Sequence, residues 1–447
     1  MSLAQRLAWF EGLSTLGIVT ATIAVSVPPG QAPVVEWTVV ARVFLVVLVC
    51  TVTLYFNDLY EFETPHNFSQ LFGRLCRALG WAALLLGGTY VLFPRTMIPG
   101  NLASDALLLV LATILLVRAT VYVLVKRPPF TERVLVLGDG TLAAEVSRQI
   151  RTRPDLALTC VGFLGEPTAM ADAHRGAYGD VSGVVARLRP DRIIVAMPDR
   201  RGRLPVADLL ACRFRGIAIE EGTQAFERFT RRLAVESLSP SALIFGDGFR
   251  VSRTYVLLKR IISVLMALAA LAVAAPLIAL GALLIKLESP GPVFFVQERV
   301  GLGGRIFRLI KFRTMRQAVE SDDVIWQRDN RRRVTRLGAI LRKYRLDELP
   351  QCINILRGDM SLIGPRPEMA SNVATFSSVI PFYNLRHEVR PGLTGWAQVK
   401  AGYSMTVEEV TQKLCYDLYY IKHMSLRFDL RILFDTVKFV LCGKRPG

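Results

Sequence analysis

The spacing of apolar and polar positions changes three times along this chain. Four long apolar runs come first: Gly12–Val27, Trp37–Phe56, Gly73–Phe93 and Ala103–Val125. Each approaches the ~20 residues an α-helix needs to cross a bilayer, which predicts a transmembrane four-helix bundle over residues 1–127. The pattern then shortens. RVLVLGDGTLAAEVSRQI, from Arg133, reads as a buried strand, a Gly-rich turn and a helix. VGFLGEP, RIIVAMP and GIAIEE read as further strands between helical stretches, which predicts a doubly wound α/β domain over residues 130–248. Ile261–Ile285 is again apolar throughout, and residues 289–447 return to short strands and amphipathic helices.

The fifth long apolar stretch, within residues 255–288, allows two topologies. It is long enough to span, but Pro276 is expected to kink or break the helix. Lys259 and Arg260 stand at one end and Lys286 at the other, so both ends read as cytoplasmic, as in a re-entrant helix. In the N-terminal bundle Arg6, Arg74, Arg77, Lys126, Arg127 and Arg133 lie where both ends of the bundle face the cytoplasm, and only Arg95 stands between runs three and four. Arg42 and Arg118 sit inside runs, facing other helices or snorkelling. The bundle reads as an anchor rather than a transport path.

Composition agrees with a membrane protein. Of 447 residues 52% are hydrophobic, and the mean hydropathy is +0.36. The net charge is +18, and residues 289–447 hold 26 Lys and Arg against 15 Asp and Glu. With apolar helices alongside and no RNA-recognition or helix-turn-helix signature, that excess points to anionic lipids and phosphate ligands rather than nucleic acid. Thr335–Leu346 carries Arg336, Arg342, Lys343 and Arg345 around apolar residues and reads as an interfacial amphipathic helix. The seven cysteines include no C-x-x-C, and the four histidines show no metal-ligand spacing.

Three stretches could carry chemistry. Gly138, Gly140 and Ala143 form G-x-G-x-x-A, which either places a phosphate at a helix N-terminus or serves packing alone. The acid expected at the end of the second strand falls at Glu166. Tyr255 and Lys259 have Y-x-x-x-K spacing but lead into an apolar helix, so the match reads as coincidence. The richest stretch is Arg345–Pro367, RLDELPQCINILRGDMSLIGPRP. Leu346, Leu349, Ile353 and Leu356 predict a short helix to Arg357, stopped by Gly358, with Asp347 at the N-cap and Glu348 in the first turn. A carboxylate there is expected to be held ionised by backbone N–H groups and the helix dipole. It is then an ordinary cap, or a nucleophile or metal ligand. Gly364 and two prolines fix a loop that presents Arg366, a residue type suited to phosphate.

That stretch has company. SPGPVFFVQERVGLGGRIFRLIKFRTM (Ser289–Met315), RPGLTGWAQV (Arg390–Val399) and YDLYYIKHMSLRFDL (Tyr416–Leu430) flank it in order. From about Tyr255 to the C-terminus the chain resembles the bacterial polyisoprenyl-phosphate hexose-1-phosphate transferases, or monotopic phosphoglycosyl transferases. Its YDLYYIKHMS ending looks most like their exopolysaccharide branch associated with exosortase systems. The resemblance implies a re-entrant helix over 255–288, a catalytic domain over 289–447 and an accessory Rossmann-like domain before them. It implies transfer of a sugar phosphate from a UDP-sugar to undecaprenyl phosphate, with release of UMP, at the cytoplasmic face of the inner membrane. Asp347 is then the nucleophile, forming an aspartyl phospho-sugar, and Glu348, with Asp347, the Mg²⁺ ligand. Pro365, Arg366 and Pro367 match the nucleotide and phosphate loop. Lys311, Arg313 and Arg345 become phosphate contacts, the plainer alternative being lipid-headgroup binding. Two other classes stand against this: a membrane-anchored nucleotide-sugar dehydratase or epimerase holding NAD(P), and a non-catalytic regulator of polysaccharide assembly. The Rossmann-like domain also offers a surface for pairing with a second copy.

Overall fold

The computed structural model describes residues 10–18, 20–21, 37–57, 59, 68–94, 110, 112–114, 116–117, 120, 131–165, 174–176, 180–197, 203–238, 240–246, 248–316, 333–401 and 406–442. Arg6, Arg95, Arg118, Lys126, Arg127 and Glu166 lie outside them, as does most of the fourth apolar run. The chain divides into two compact units, residues 1–225 and 226–446.

In the first unit, helices α1 (Trp37–Phe56) and α2 (Phe68–Leu92) pack through Val46 and Cys50 against Ala82 and Leu86. Leu54 meets Leu75, Ala78 and Leu79 in a second cluster that includes Val110 and Ile114. Among the described residues two helices are long and apolar enough to cross a membrane, Phe72–Leu92 in this unit and Arg253–Glu288 in the other. The four-helix bundle expected from the sequence is therefore described only in part.

The same unit holds strands β1 (Glu132–Leu137), β2 (Leu158–Leu164), β3 (His174–Gly176), β4 (Arg192–Val195) and β5 (Ala218–Glu221). They form one parallel sheet in the order β3-β2-β1-β4-β5. Helix α3 (Thr141–Thr152) follows β1, α4 (Val181–Leu188) precedes β4, and α5 (Val206–Phe214) precedes β5. Leu135 and Leu137 of β1 pack with Val181, Val184 and Val185 of α4 and with Leu209 and Cys212 of α5. Val134 and Val136, which alternate to the opposite face, are equally buried. A parallel sheet buried on both faces needs such continuous apolar strands, which is why they read so clearly from sequence.

The second unit is built along α6 (Arg253–Glu288), a helix of 36 residues. Pro276 lies inside it and does not end it, contrary to the expected break. A proline costs one backbone hydrogen bond and a local clash, and here the helix is held from both sides of that point. Ala267 packs with Leu309, Cys352, Ile355 and Met360. Ile285 packs with Phe312 and Leu341. The buried positions Ser263, Ala267, Ala274, Gly281 and Ile285 trace one stripe along the helix. The other face is apolar and exposed: Leu257, Ile261, Leu265, Leu268, Val273, Leu280, Leu283 and Leu287.

Against that stripe lie an antiparallel hairpin, β6 (Phe294–Val300) and β7 (Ile306–Phe312), then α7 (Arg336–Lys343) and α8 (Gln351–Arg357). Strands β8 (Ser361–Ile363) and β9 (Gly392–Thr394) pair in parallel. Helices α9 (Val407–Lys422) and α10 (Leu426–Cys442) complete the unit. Trp396, Tyr383, Leu414, Leu418 and Ile432 form its largest core cluster.

Candidate active site

The Asp-Glu pair does not cap a helix. Leu346–Glu348 is a single 3-10 turn, and the α-helix begins only at Gln351, behind Pro350. The reason is local. An α-helical bond onto the Leu346 carbonyl would need the N–H of residue 350, which proline lacks. The carbonyl accepts instead from Leu349 N, 3.2 Å away. Arg345 opens the turn in the left-handed region, φ +58°, a conformation that costs a non-glycine residue energy and gathers at functional sites. The predicted helix stop holds: Gly358 takes φ +96°, and its N–H bonds to Asn354 O and Ile355 O.

The expected N–H donors to Asp347 are likewise missing. Asp347 Oδ1 is buried and, among the described residues, has no hydrogen-bond partner. Burial, and after it the charge of Glu348, push the Asp347 carboxyl above its ordinary range, while Lys311, Arg342 and Arg345 pull it back. What offsets part of that shift is side-chain cations, not a helix end. Glu348 is the opposite case. Burial opposes its charge, but Arg366 and Arg345 outweigh burial and hold its carboxyl below the usual range. Arg366 Nη2 donates to Glu348 Oε1 at 2.9 Å, Arg366 Nη1 to Oε2 at 3.4 Å, and Arg345 Nη1 to Oε1 at 3.1 Å.

Lys311 comes from β7. Burial, then repulsion from Arg299, Arg342 and Arg366, lower its pKa, with Asp347 acting the other way. Its ammonium stands 5.0 Å from the ring centre of Phe295, its cross-strand partner. Asn354, fully buried on α8, fixes that strand to the helix: its Oδ1 accepts from Ile310 N, and its Nδ2 donates to Arg308 O. Arg342, assigned from sequence to a lipid-facing helix, belongs with this set through its pull on Asp347 and bonds Thr314 Oγ1 at 2.8 Å. Nothing in the sequence pattern separated it from its basic neighbours.

Arg313 is not part of the cluster. Its buried guanidinium donates to Ser289 O, Ser289 Oγ and Pro290 O, tying the strand end to the turn after α6. Burial and main-chain partners make it a clamp, which corrects its expected role as a phosphate contact.

Arg366 is presented by the Pro365–Arg366–Pro367 loop, which lies backbone to backbone against Arg390–Thr394. A Cβ on Gly364 would come within 2.5 Å of Arg390 O, and one on Gly392 within 2.0 Å of Gly364 N. The two glycines are thus required by space. In the first unit Gly138 has φ +151°, and a Cβ there would meet Ala196 O at 2.4 Å. Gly140 caps α3 without a side chain. The close approach of the chain after β1 to the chain after β4 requires glycine at 138 on space alone.

Asp347 and Glu348 are the residues of this site that could hold a divalent cation. Asp347 Oδ1 is an orphaned buried oxygen beside a second carboxylate. Among the described residues no group of three or more His, Cys, Asp or Glu gathers, so Asp347 and Glu348 would be the only protein carboxylates. Magnesium commonly binds one or two carboxylates and completes its octahedron with water and phosphate oxygens.

A small α/β unit built on a long apolar helix, with two carboxylates set among Lys311, Arg342, Arg345 and Arg366, points to a membrane-associated protein equipped for phosphate chemistry. Residues 254–443 match the family model described as bacterial sugar transferase. A UDP-N-acetylgalactosamine-undecaprenyl-phosphate N-acetylgalactosaminephosphotransferase from Aeromonas hydrophila is 44% identical over 235 residues, 53% of this chain and 55% of that protein. A UDP-glucose:undecaprenyl-phosphate glucose-1-phosphate transferase from Caulobacter vibrioides is 48% identical over 185 residues, 41% of this chain and 69% of that protein. The exopolysaccharide production protein PSS of Rhizobium leguminosarum is 41% identical over 186 residues, 40% of this chain and 93% of that one. The chain belongs to the bacterial sugar transferase family.

Proposed function

We propose that this protein transfers a sugar-1-phosphate from a UDP-sugar to undecaprenyl phosphate, as the first membrane step of exopolysaccharide assembly. The observation that carries this reading is the unpartnered oxygen of Asp347 among Lys311, Arg342 and Arg345. A carboxylate oxygen without a hydrogen-bond partner, with cations nearby that favour its charged form, is a nucleophile in waiting. Asp347 attacks the sugar-bearing phosphorus, the bridging P–O bond breaks, and UMP leaves with the electron pair. An oxygen of the lipid phosphate then attacks the same phosphorus, and Asp347 departs as a carboxylate. Arg366 and Lys311 bind the diphosphate, and Glu348 keeps Arg366 and Arg345 in place. Bound Mg²⁺, held by Asp347 and Glu348, would neutralise diphosphate charge.

We place α6 at the cytoplasmic leaflet. Both halves of that unbroken helix pack on the same α/β unit, which supports a helix lying in the cytoplasmic leaflet over one that crosses. Its exposed apolar face would meet lipid, and the site would open at the inner face of the cytoplasmic membrane.

The test is UMP release by the purified protein in lipid nanodiscs, with undecaprenyl phosphate and a panel of UDP-sugars. Release from one of them, dependent on Mg²⁺ and on the lipid, is expected. No release from any of them would sink the proposal and favour a regulatory role.

A further inference from the structure

We infer that the buried Arg386–Asp417 pair is a positioning device for the loop that presents Arg366. The inference rests on the reading of Arg366 as a diphosphate ligand. Pro365 and Pro367 have no N–H, so the loop cannot be held through its own donors there. It is held through its carbonyls. Gly392 N donates to Pro365 O at 2.8 Å, Arg386 Nη2 to Arg366 O at 3.0 Å, and Arg299 Nη1 to Pro367 O at 3.2 Å. Three successive carbonyls thus have donors, two of them guanidinium groups.

Arg386 is the more deeply buried of the two arginines. It also donates to Asp417 Oδ2 at 2.8 Å and to Tyr383 Oη at 2.9 Å, and the side chains of the pair are only 5% and 3% exposed. Burying an ion pair is expensive, and apolar residues of similar size often support a fold equally well. What apolar residues cannot do is donate to Arg366 O. The connection runs from Asp417 to Arg386, to the Arg366 main chain, and from the Arg366 side chain to Glu348 beside Asp347.

Two variants of the full-length protein test this: Arg386→Met combined with Asp417→Leu, and Arg386→Lys. The first removes both charges. The second keeps a cation for Asp417 but loses the fork that reaches Arg366 O as well. Each is expected to fold, and to lose roughly 10- to 100-fold in kcat/KM, the usual cost of removing a supporting residue. The loss should fall mainly on the KM for UDP-sugar. Hydrogen exchange of residues 361–370 should rise, with the rest of the unit unchanged. Either folded variant with wild-type KM and wild-type exchange in that segment overturns the inference. If the double variant does not fold, Arg386→Lys decides by the same criteria. Should the wild type release no UMP, the proposed activity fails, and the exchange measurement alone still decides the positioning.

Discussion

Asp347 and Glu348 are neighbours in sequence with opposite electrostatics. Glu348 has two arginines bonded to it and stays charged; Asp347 has a bare buried oxygen and is pushed toward its neutral form. An Asp with a raised pKa loses its nucleophilic form at a higher pH than an ordinary carboxyl of about 4. Single-turnover labelling of the protein by UDP-sugar should therefore fade on acidification while still above that value. Labelling that persists unchanged to pH 4 would contradict the raised pKa. His387 makes a second prediction. Burial, then Arg386, push its imidazole down to about 4, whereas the unfolded chain takes up a proton near pH 6.5. The contribution of this histidine to stability is complete above pH 6.5 and is lost as pH falls toward 4, by roughly 3 kcal/mol. In thermal melts, the change in stability from pH 7.5 to 5 should be less unfavourable in His387→Gln than in the wild type, and equal changes would contradict the lowered pKa. At this scale the sequence named Asp347, Glu348, Lys311, Arg345 and Arg366 by type and company. It could not assign partners. Arg313 was placed with phosphate because a guanidinium in a KFRTM string looks the same whether it meets a ligand or two main-chain carbonyls.

Among the elements, the apolar spacing of Leu346, Leu349, Ile353 and Leu356 located the helix and its glycine stop. It missed the 3-10 turn at the start, because the cause is the missing N–H of Pro350 and not the hydrophobic pattern. It also read Pro276 as a break, since a sequence does not display the side chains that hold α6 on either side. The crossing of the Gly364 and Gly392 segments was likewise hidden, being a long-range contact between two turn-like strings. That crossing predicts a sharp effect. In Gly392→Ala the new methyl would overlap the Gly364 backbone, at a cost of about 3 kcal/mol or more. Chemical denaturation should show the loss, and Gly281→Ala is the control, because a Cβ there meets nothing closer than Phe312 at 3.9 Å. Equal stability of the two variants would show that the close approach is absent in solution.

For the molecule as a whole, the order of parts was readable because each has its own period: long apolar runs, short buried strands, then amphipathic segments around one apolar helix. How that last helix meets the membrane was not readable, since length and charge allow both topologies. The stripe along α6 supports a helix that does not cross, and both of its ends should lie on the cytoplasmic side. Cysteines at Arg253 and Leu287, both exposed, should react with an impermeant maleimide only after the inner membrane is opened. Labelling of one end from outside would make the helix a true crossing.

The most direct measurement uses UDP-sugar labelled separately at its two phosphorus atoms, with no lipid acceptor present. Phosphorus from the sugar-bearing position should remain on the protein, at the peptide containing Asp347, while the nucleoside-bearing phosphorus leaves as UMP. Asp347→Asn should abolish both. Wild-type turnover with no label on the protein, or full activity in Asp347→Asn, would contradict the covalent role of Asp347.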